Sequence, residues 1–160
     1  MKKIEYDRII KDCMKEKYAK EICNWNYDGE YVDYNLPSYE ECMEKKYGIT
    51  REDRKDNYIV YLIDGEVVFY SNMKEMDNNK LYIGVGLKPE YCGKGYGNYF
   101  LEDSIKEMKN RYPSRALFLE VRSWNKRAIK SYERLGFKVT RVVTSKDRLG
   151  NDTEFTEMEM

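Results

Sequence analysis

A cluster of glycines between a strand and a helix constrains this chain more than any other feature. Five of its ten glycines fall between Gly84 and Gly97, in the stretch Gly84-Val-Gly-Leu-Lys-Pro-Glu-Tyr-Cys-Gly-Lys-Gly-Tyr-Gly97. Upstream, Lys80 to Leu87 reads as a strand. Downstream, Leu101, Ile105, Met108 and Tyr112 fall at i, i+4, i+7 and i+11, the apolar stripe of a helix that Pro113 ends. Glycines let the backbone take unusual φ and approach a ligand closely, and the first N–H groups of a helix are unpaired and lie at the positive end of its dipole. The junction therefore suits a pyrophosphate; the alternative is a plain connecting loop. The pattern G-x-x-x-x-G-K-[ST] is absent, and a dinucleotide fingerprint would open the first βαβ unit of a chain, so neither nucleotide-binding fold fits.

The surrounding elements predict a mixed sheet. Tyr18 to Trp25 has apolar residues at helical spacing, and Ser38 followed by Glu41 is a capping box for a second helix to about Tyr47. Tyr58 to Ile63 and Glu66 to Tyr70 are β-rich and joined by Asp64-Gly65, a hairpin turn. After the glycine loop and its helix, Arg115 to Arg122 reads as a buried strand and Asn125 to Leu135 as a helix closed by Gly136. Two further strands, near Phe137 to Ser145 and Thr153 to Met160, flank a turn at Leu149-Gly150-Asn151. Helices, an antiparallel meander and a β-α-β-α-β-β tail make one α/β (α+β) domain over residues 1–160.

Composition removes several kinds of chemistry. The chain has 29 basic and 29 acidic residues, so no global field recruits nucleic acid or an anionic membrane. The longest apolar run, Tyr58 to Ile63, is far short of a membrane span, and Met1 to Asp12 has no signal-like apolar region, which predicts a cytoplasmic protein. Cys13, Cys23, Cys42 and Cys92 form no C-x-x-C pair and read as free thiols. The chain lacks histidine, which excludes the familiar zinc patterns, Ser-His-Asp and Cys-His arrangements and every His base. No metal site is expected, and proton transfer must use carboxylates, Tyr, Lys, Cys or water.

Leu87-x-Pro89-Glu-Tyr-Cys92-Gly-Lys-Gly95-Tyr-Gly97 resembles the acetyl-CoA loop of the GNAT N-acetyltransferase superfamily. Asn125-Lys-Arg-Ala128-Ile-Lys-Ser-Tyr132-Glu-Arg-Leu-Gly136-Phe137 resembles that family's second motif, N-x-x-A-x-x-x-Y-x-x-x-G-F. The resemblance implies a mixed, mostly antiparallel and splayed sheet of about six or seven strands flanked by about four helices. It further implies an acetyl-CoA-binding core over residues 80–140 and acceptor-site helices with their loop over residues 10–50. The chain departs from the pattern at Cys92, where the family usually has Arg or Gln.

By the same resemblance, Tyr132 protonates the departing CoA sulfur; the alternative is the apolar face of its helix. Glu120, in Leu117-Phe-Leu-Glu-Val-Arg122, is the candidate base, and Leu-Glu-Val-Arg with a Tyr twelve residues after the Glu is also similar to ribosomal-protein N-terminal alanine acetyltransferases. A structural pairing of Glu120 with Arg122, or a water relay in place of a base, stays open. Backbone groups of Gly84 to Leu87, Val85 and Leu87 among them, are expected to hold the pantetheine arm. Cys92, Gly93, Lys94, Gly95, Tyr96, Gly97 and Asn98 would cradle the pyrophosphate, with Asn125 and Arg127 as further cofactor contacts.

Glu21 to Glu44 holds seven acids and no Lys or Arg, interleaved with Trp25, Tyr27, Tyr31 and Tyr34, which suits a cationic amine. Glu102 to Arg148 holds 13 basic and 6 acidic residues, a match for CoA phosphates. The expected reaction is acetyl transfer to a small cationic amine, by a monomer or homodimer. The alternatives are a polypeptide amino terminus as acceptor and a non-catalytic CoA-binding module.

Overall fold

The computed structural model of the protein describes residues 4–160. Seven strands form one sheet in the order β1-β2-β3-β4-β5-β7-β6. They are β1 (Ile9–Asp12), β2 (Tyr58–Ile63), β3 (Glu66–Met76), β4 (Lys80–Leu87), β5 (Ala116–Arg122), β6 (Lys138–Lys146) and β7 (Asp152–Glu159). Four α-helices accompany them: α1 (Glu16–Cys23), α2 (Tyr39–Glu44), α3 (Tyr96–Arg111) and α4 (Lys126–Arg134). β4 and β5 are parallel, whereas β1–β2, β2–β3, β5–β7 and β6–β7 are antiparallel. This is the mixed, mostly antiparallel sheet expected from the sequence. Among the described residues no helix is long and apolar enough to cross a membrane.

The chain divides into two compact units, not at a linker but inside β3, β4 and α3. The first comprises residues 4–72 and Val85–Ser104. Its β2–β3 hairpin turns at Asp64 and Gly65, with φ of 51° and 82°, the left-handed backbone that an Asp-Gly turn supplies. Under the hairpin, Tyr61, Phe69 and Phe100 form a ring cluster with centroids 5.2–5.5 Å apart. Beside it, the Tyr61 hydroxyl lies 2.8 Å from an Asp103 carboxylate oxygen and 2.9 Å from Ser104 Oγ, and Ser71 donates to Ser104 at 2.9 Å. Ser71 and Ser104 are fully buried, so each hydroxyl needs these partners.

β1 was not expected. It pairs with β2 from Ile9–Ile63 to Asp12–Val60, yet its four residues leave Ile10 65% exposed and show no alternation. At its last residue, Asp12 accepts from the Cys13 N–H at 2.8 Å and the Tyr18 hydroxyl at 2.7 Å and lies 2.9 Å from Lys15 Nζ. The Lys15 ammonium leads these groups in holding the Asp12 carboxyl at about 2. A depressed folded-state carboxyl adds stability above its unfolded value, and that share is lost as pH falls towards about 2. We therefore expect Asp12→Asn to lower Tm at neutral pH, with the gap to the parent protein closing between about pH 4 and pH 2. A gap that stayed constant across a pH series of thermal melts would contradict this.

The second unit comprises Met73–Gly84 and Ile105–Met160. Its parallel ladder runs from Lys80–Ala116 to Tyr82–Phe118. On the other side β5 pairs with β7 from Phe118–Glu159 to Arg122–Phe155. α4 follows β5 after a short turn, and its end fixes the ring of Tyr132. Gly136, at φ 107°, donates to the Glu133 carbonyl and Phe137 N–H to the Tyr132 carbonyl, both at 3.0 Å, a Schellman closure. The apolar contact of that motif is the edge-on meeting of Tyr132 and Phe137, centroids 6.1 Å apart.

Candidate active site

The glycine loop has two physical causes for its glycines. Gly93 and Gly95 have φ of 74° and 85°, which L side chains adopt only under strain. Gly86 answers a steric demand instead, since a Cβ there would lie 2.3 Å from Cε1 of Tyr70. The chain leaves β4 with the Lys88 N–H on the Val68 carbonyl at 2.9 Å, makes a 3-10 turn over Pro89–Tyr91, and enters α3 at Tyr96. Tyr96, Gly97 and Asn98 form the first turn of that helix. Val85 and Leu87 are half-buried at the end of β4. The Lys94 ammonium donates to the Glu90 carbonyl at 2.8 Å, and the Cys92 thiol lies 3.7 Å from the Leu87 and Lys88 carbonyl oxygens. Cys92 thus closes the loop on itself, where a longer Arg or Gln would reach outward.

In the same unit, the four aromatic residues expected to line the acceptor site divide into two roles. Trp25 is buried in the core, 5.9 Å from the Tyr70 ring, and its indole N–H has no hydrogen-bond partner among the described residues. The Tyr27 hydroxyl donates to the Leu87 carbonyl at 2.6 Å, and burial pushes its phenol well up from the usual value. Tyr31 and Tyr34 stack at 6.4 Å, with Tyr27 edge-on to Tyr34 at 6.3 Å. The acidic segment is partly spent on structure. Glu21 accepts from the Val67 N–H at 2.8 Å and Glu41 binds Lys45 at 2.7 Å; Asp28, Glu30 and Asp33 are exposed and alternate in sequence with the tyrosines.

In the second unit, Glu120 projects from β5 and accepts a hydrogen bond from the Tyr82 hydroxyl of β4 at 3.3 Å. Burial, reinforced by the neighbouring Glu120, pushes the Tyr82 phenol well up, so that it stays a donor. The expected alternative, a Glu120–Arg122 pair, does not form: the Arg122 guanidinium lies 3.6 Å from Asp147 and over the Phe155 ring. Backbone N–H groups of Asn151 and Leu149, then Arg122, hold the Asp147 carboxyl below the usual range. Tyr82 is the residue sequence reasoning missed, since only the parallel register of β4 on β5 brings together positions 38 apart. Asn125 caps α4, accepting from the Ala128 N–H at 3.2 Å, and Arg127 is exposed on the helix's first turn. Tyr132, seven residues past the cap, is half-buried against Phe137.

Residues 19–137 match the sequence profile of the acetyltransferase (GNAT) family. An N-alpha-acetyltransferase of Saccharolobus solfataricus is 32% identical over 111 residues, covering 62% of this chain and 62% of that protein. The chain spans about three fifths of the length of the curated relatives it matches. Among solved structures, the ribosomal-protein-S18-alanine N-acetyltransferase of Escherichia coli superposes with a TM-score of 0.68 at 19% identity, covering 95% of this chain and 92% of that one. The spermidine N-acetyltransferase of Vibrio cholerae, solved with CoA and spermine, superposes with a TM-score of 0.75 at 16% identity, covering 96% and 95%.

Proposed function

The chain belongs to the acetyltransferase (GNAT) family, and from that premise we propose that it moves the acetyl group of acetyl-CoA directly onto the α-amine at the amino terminus of a polypeptide. The observation that carries this reading is the Glu120 carboxylate, held by Tyr82 in a chain without histidine. An α-amine ionises near 7.7–8.0 and an alkylammonium near about 10.4, so a carboxylate deprotonates the first far more readily. The similarity to N-alpha-acetyltransferases at 32% identity points the same way.

The residues present fit the cosubstrate. Gly93 and Gly95 in left-handed backbone and the amino-terminal turn of α3 suit a diphosphate, with Gly97 and Asn98 inside that turn. Val85 and Leu87 at the end of β4 would hold the pantetheine arm, with Arg127 as a phosphate contact. Lys94 and Asn125 already have partners within the protein, and their part in binding is correspondingly smaller. When bound, acetyl-CoA supplies a thioester whose C–S bond breaks as the C–N bond forms. Glu120 accepts the proton leaving the ammonium, directly or through water, and the Tyr132 hydroxyl donates one to the departing sulfur.

A second reading, a small cationic amine as acceptor, is favoured by the stacked Tyr31 and Tyr34, with the exposed Asp28, Glu30 and Asp33 alternating with them in sequence. Release of free CoA thiol across a panel of amino-terminal peptides and polyamines separates the two. Turnover of peptides is expected; turnover of polyamines alone would install the second reading. Acetyl-CoA at 100 times its dissociation constant should also add about 2.7 kcal/mol of stability. A thermal melt unmoved by either acetyl-CoA or CoA would sink both readings.

A further inference from the structure

The segment between α1 and α2 is closed by side chains rather than by regular secondary structure. The Asn35 carboxamide takes both backbone groups of Tyr27, accepting its N–H at 2.6 Å and donating to its carbonyl at 3.0 Å. Between them the chain leaves Asp28, turns at Gly29 with φ 59°, and makes a 3-10 helix over Gly29–Tyr34, whose bonds include Tyr31 N–H to the Asp28 carbonyl and Asn35 N–H to the Val32 carbonyl. Such a helix is poorly self-supporting, so its closure depends on Asn35. The second fixing point is the Tyr27 hydroxyl, whose 2.6 Å bond lands on the Leu87 carbonyl, the same oxygen that the Cys92 thiol approaches at 3.7 Å.

We propose that Tyr27 and Asn35 form a clamp that fixes the tyrosine-bearing loop to the end of β4, and that they are positioning residues for the acceptor amine rather than contacts of it. Tyr27 was expected to touch substrate, but its hydroxyl is committed to Leu87. The rings that the clamp presents are Tyr31 and Tyr34. The chemistry of the clamp is specific. Asn35→Asp keeps the acceptor for the Tyr27 N–H but sets a second oxygen against the Tyr27 carbonyl, and Tyr27→Phe keeps the ring while leaving the Leu87 carbonyl only the weak thiol donor of Cys92.

The proposal rests on amine acetylation as the activity, so its test has two readouts. Hydrogen exchange is measured on residues 28–35 of the full chain for the parent, Tyr27→Phe and Asn35→Asp. Steady-state kinetics follow, with the best acceptor from the amine panel, alongside CoA affinity by calorimetry. Both variants are expected to exchange faster in that loop, to raise acceptor KM roughly tenfold or more, and to leave CoA affinity within about twofold. The double variant should cost less than the product of the two, because both loosen one loop. Unchanged exchange would overturn the clamp whatever the activity. Faster exchange with an unchanged acceptor KM, or with CoA affinity falling in step, would overturn the positioning role. A protein that turned over no amine would sink the activity and that role together, leaving exchange to decide the clamp.

Discussion

Tyr132→Phe is expected to lower kcat by roughly 10² to 10⁴ while acetyl-CoA binds as before. The substitution keeps the ring that packs edge-on against Phe137 and leaves untouched the backbone bonds that close α4 at Gly136. Only the hydroxyl group is removed, so a kinetic loss without a fall in Tm separates chemistry from packing. A variant with near-parental kcat at saturating substrates would return Tyr132 to the apolar face of its helix. The non-catalytic alternative makes a different forecast: no thiol release from either protein, at equal CoA affinity.

Glu120→Gln is expected to reduce kcat/KM by a similar factor at neutral pH, because the amide keeps the shape and the bond from Tyr82 but cannot take a proton. The sign of the pH dependence follows from the role. A carboxylate base works only when ionised, so the parent enzyme should lose kcat/KM on acidification through Glu120, and the variant should lack that limb. Profiles of kcat/KM for both proteins, taken with an α-amine acceptor, check this. If the variant kept the parental acid limb, the proton would be leaving to water, with Glu120 reduced to a partner of Tyr82.

What the sequence made legible tracks the range of the forces involved. The β2 and β4 bounds follow from local residue preference and a hairpin turn, and both strands form over the expected residues. The N-cap oxygens of Ser38 and Asn125 receive the N–H groups of Glu41 and Ala128, again a local matter. β3 runs to Met76, beyond the expected Tyr70, because Ser71 and Met73 face a buried side that supplies a hydroxyl partner for the one and full burial for the other. In the candidate site, the glycine loop and Tyr132 were readable from short motifs. The partnerships of Glu120 with Tyr82 and of Tyr27 with Leu87 were not, since each depends on which strands become neighbours and in what register.

The buried hydroxyl chain of Tyr61, Ser71 and Ser104 has a consequence for how α3 can be mounted. An apolar helix face can slide or roll on a sheet with little change in buried area, giving nearly degenerate seatings. Here a one-residue slip would carry Ser104 away from both partners and strand buried hydroxyls, at a cost of about 1–3 kcal/mol for each. Asp103, which reaches Lys11 at 2.7 Å as well as Tyr61, adds a second tooth to the same ratchet. Two turns upstream of these teeth lie Tyr96, Gly97 and Asn98, whose N–H groups therefore inherit a single position. A mis-seated helix would be penalised in the protein interior long before any phosphate tested its aim.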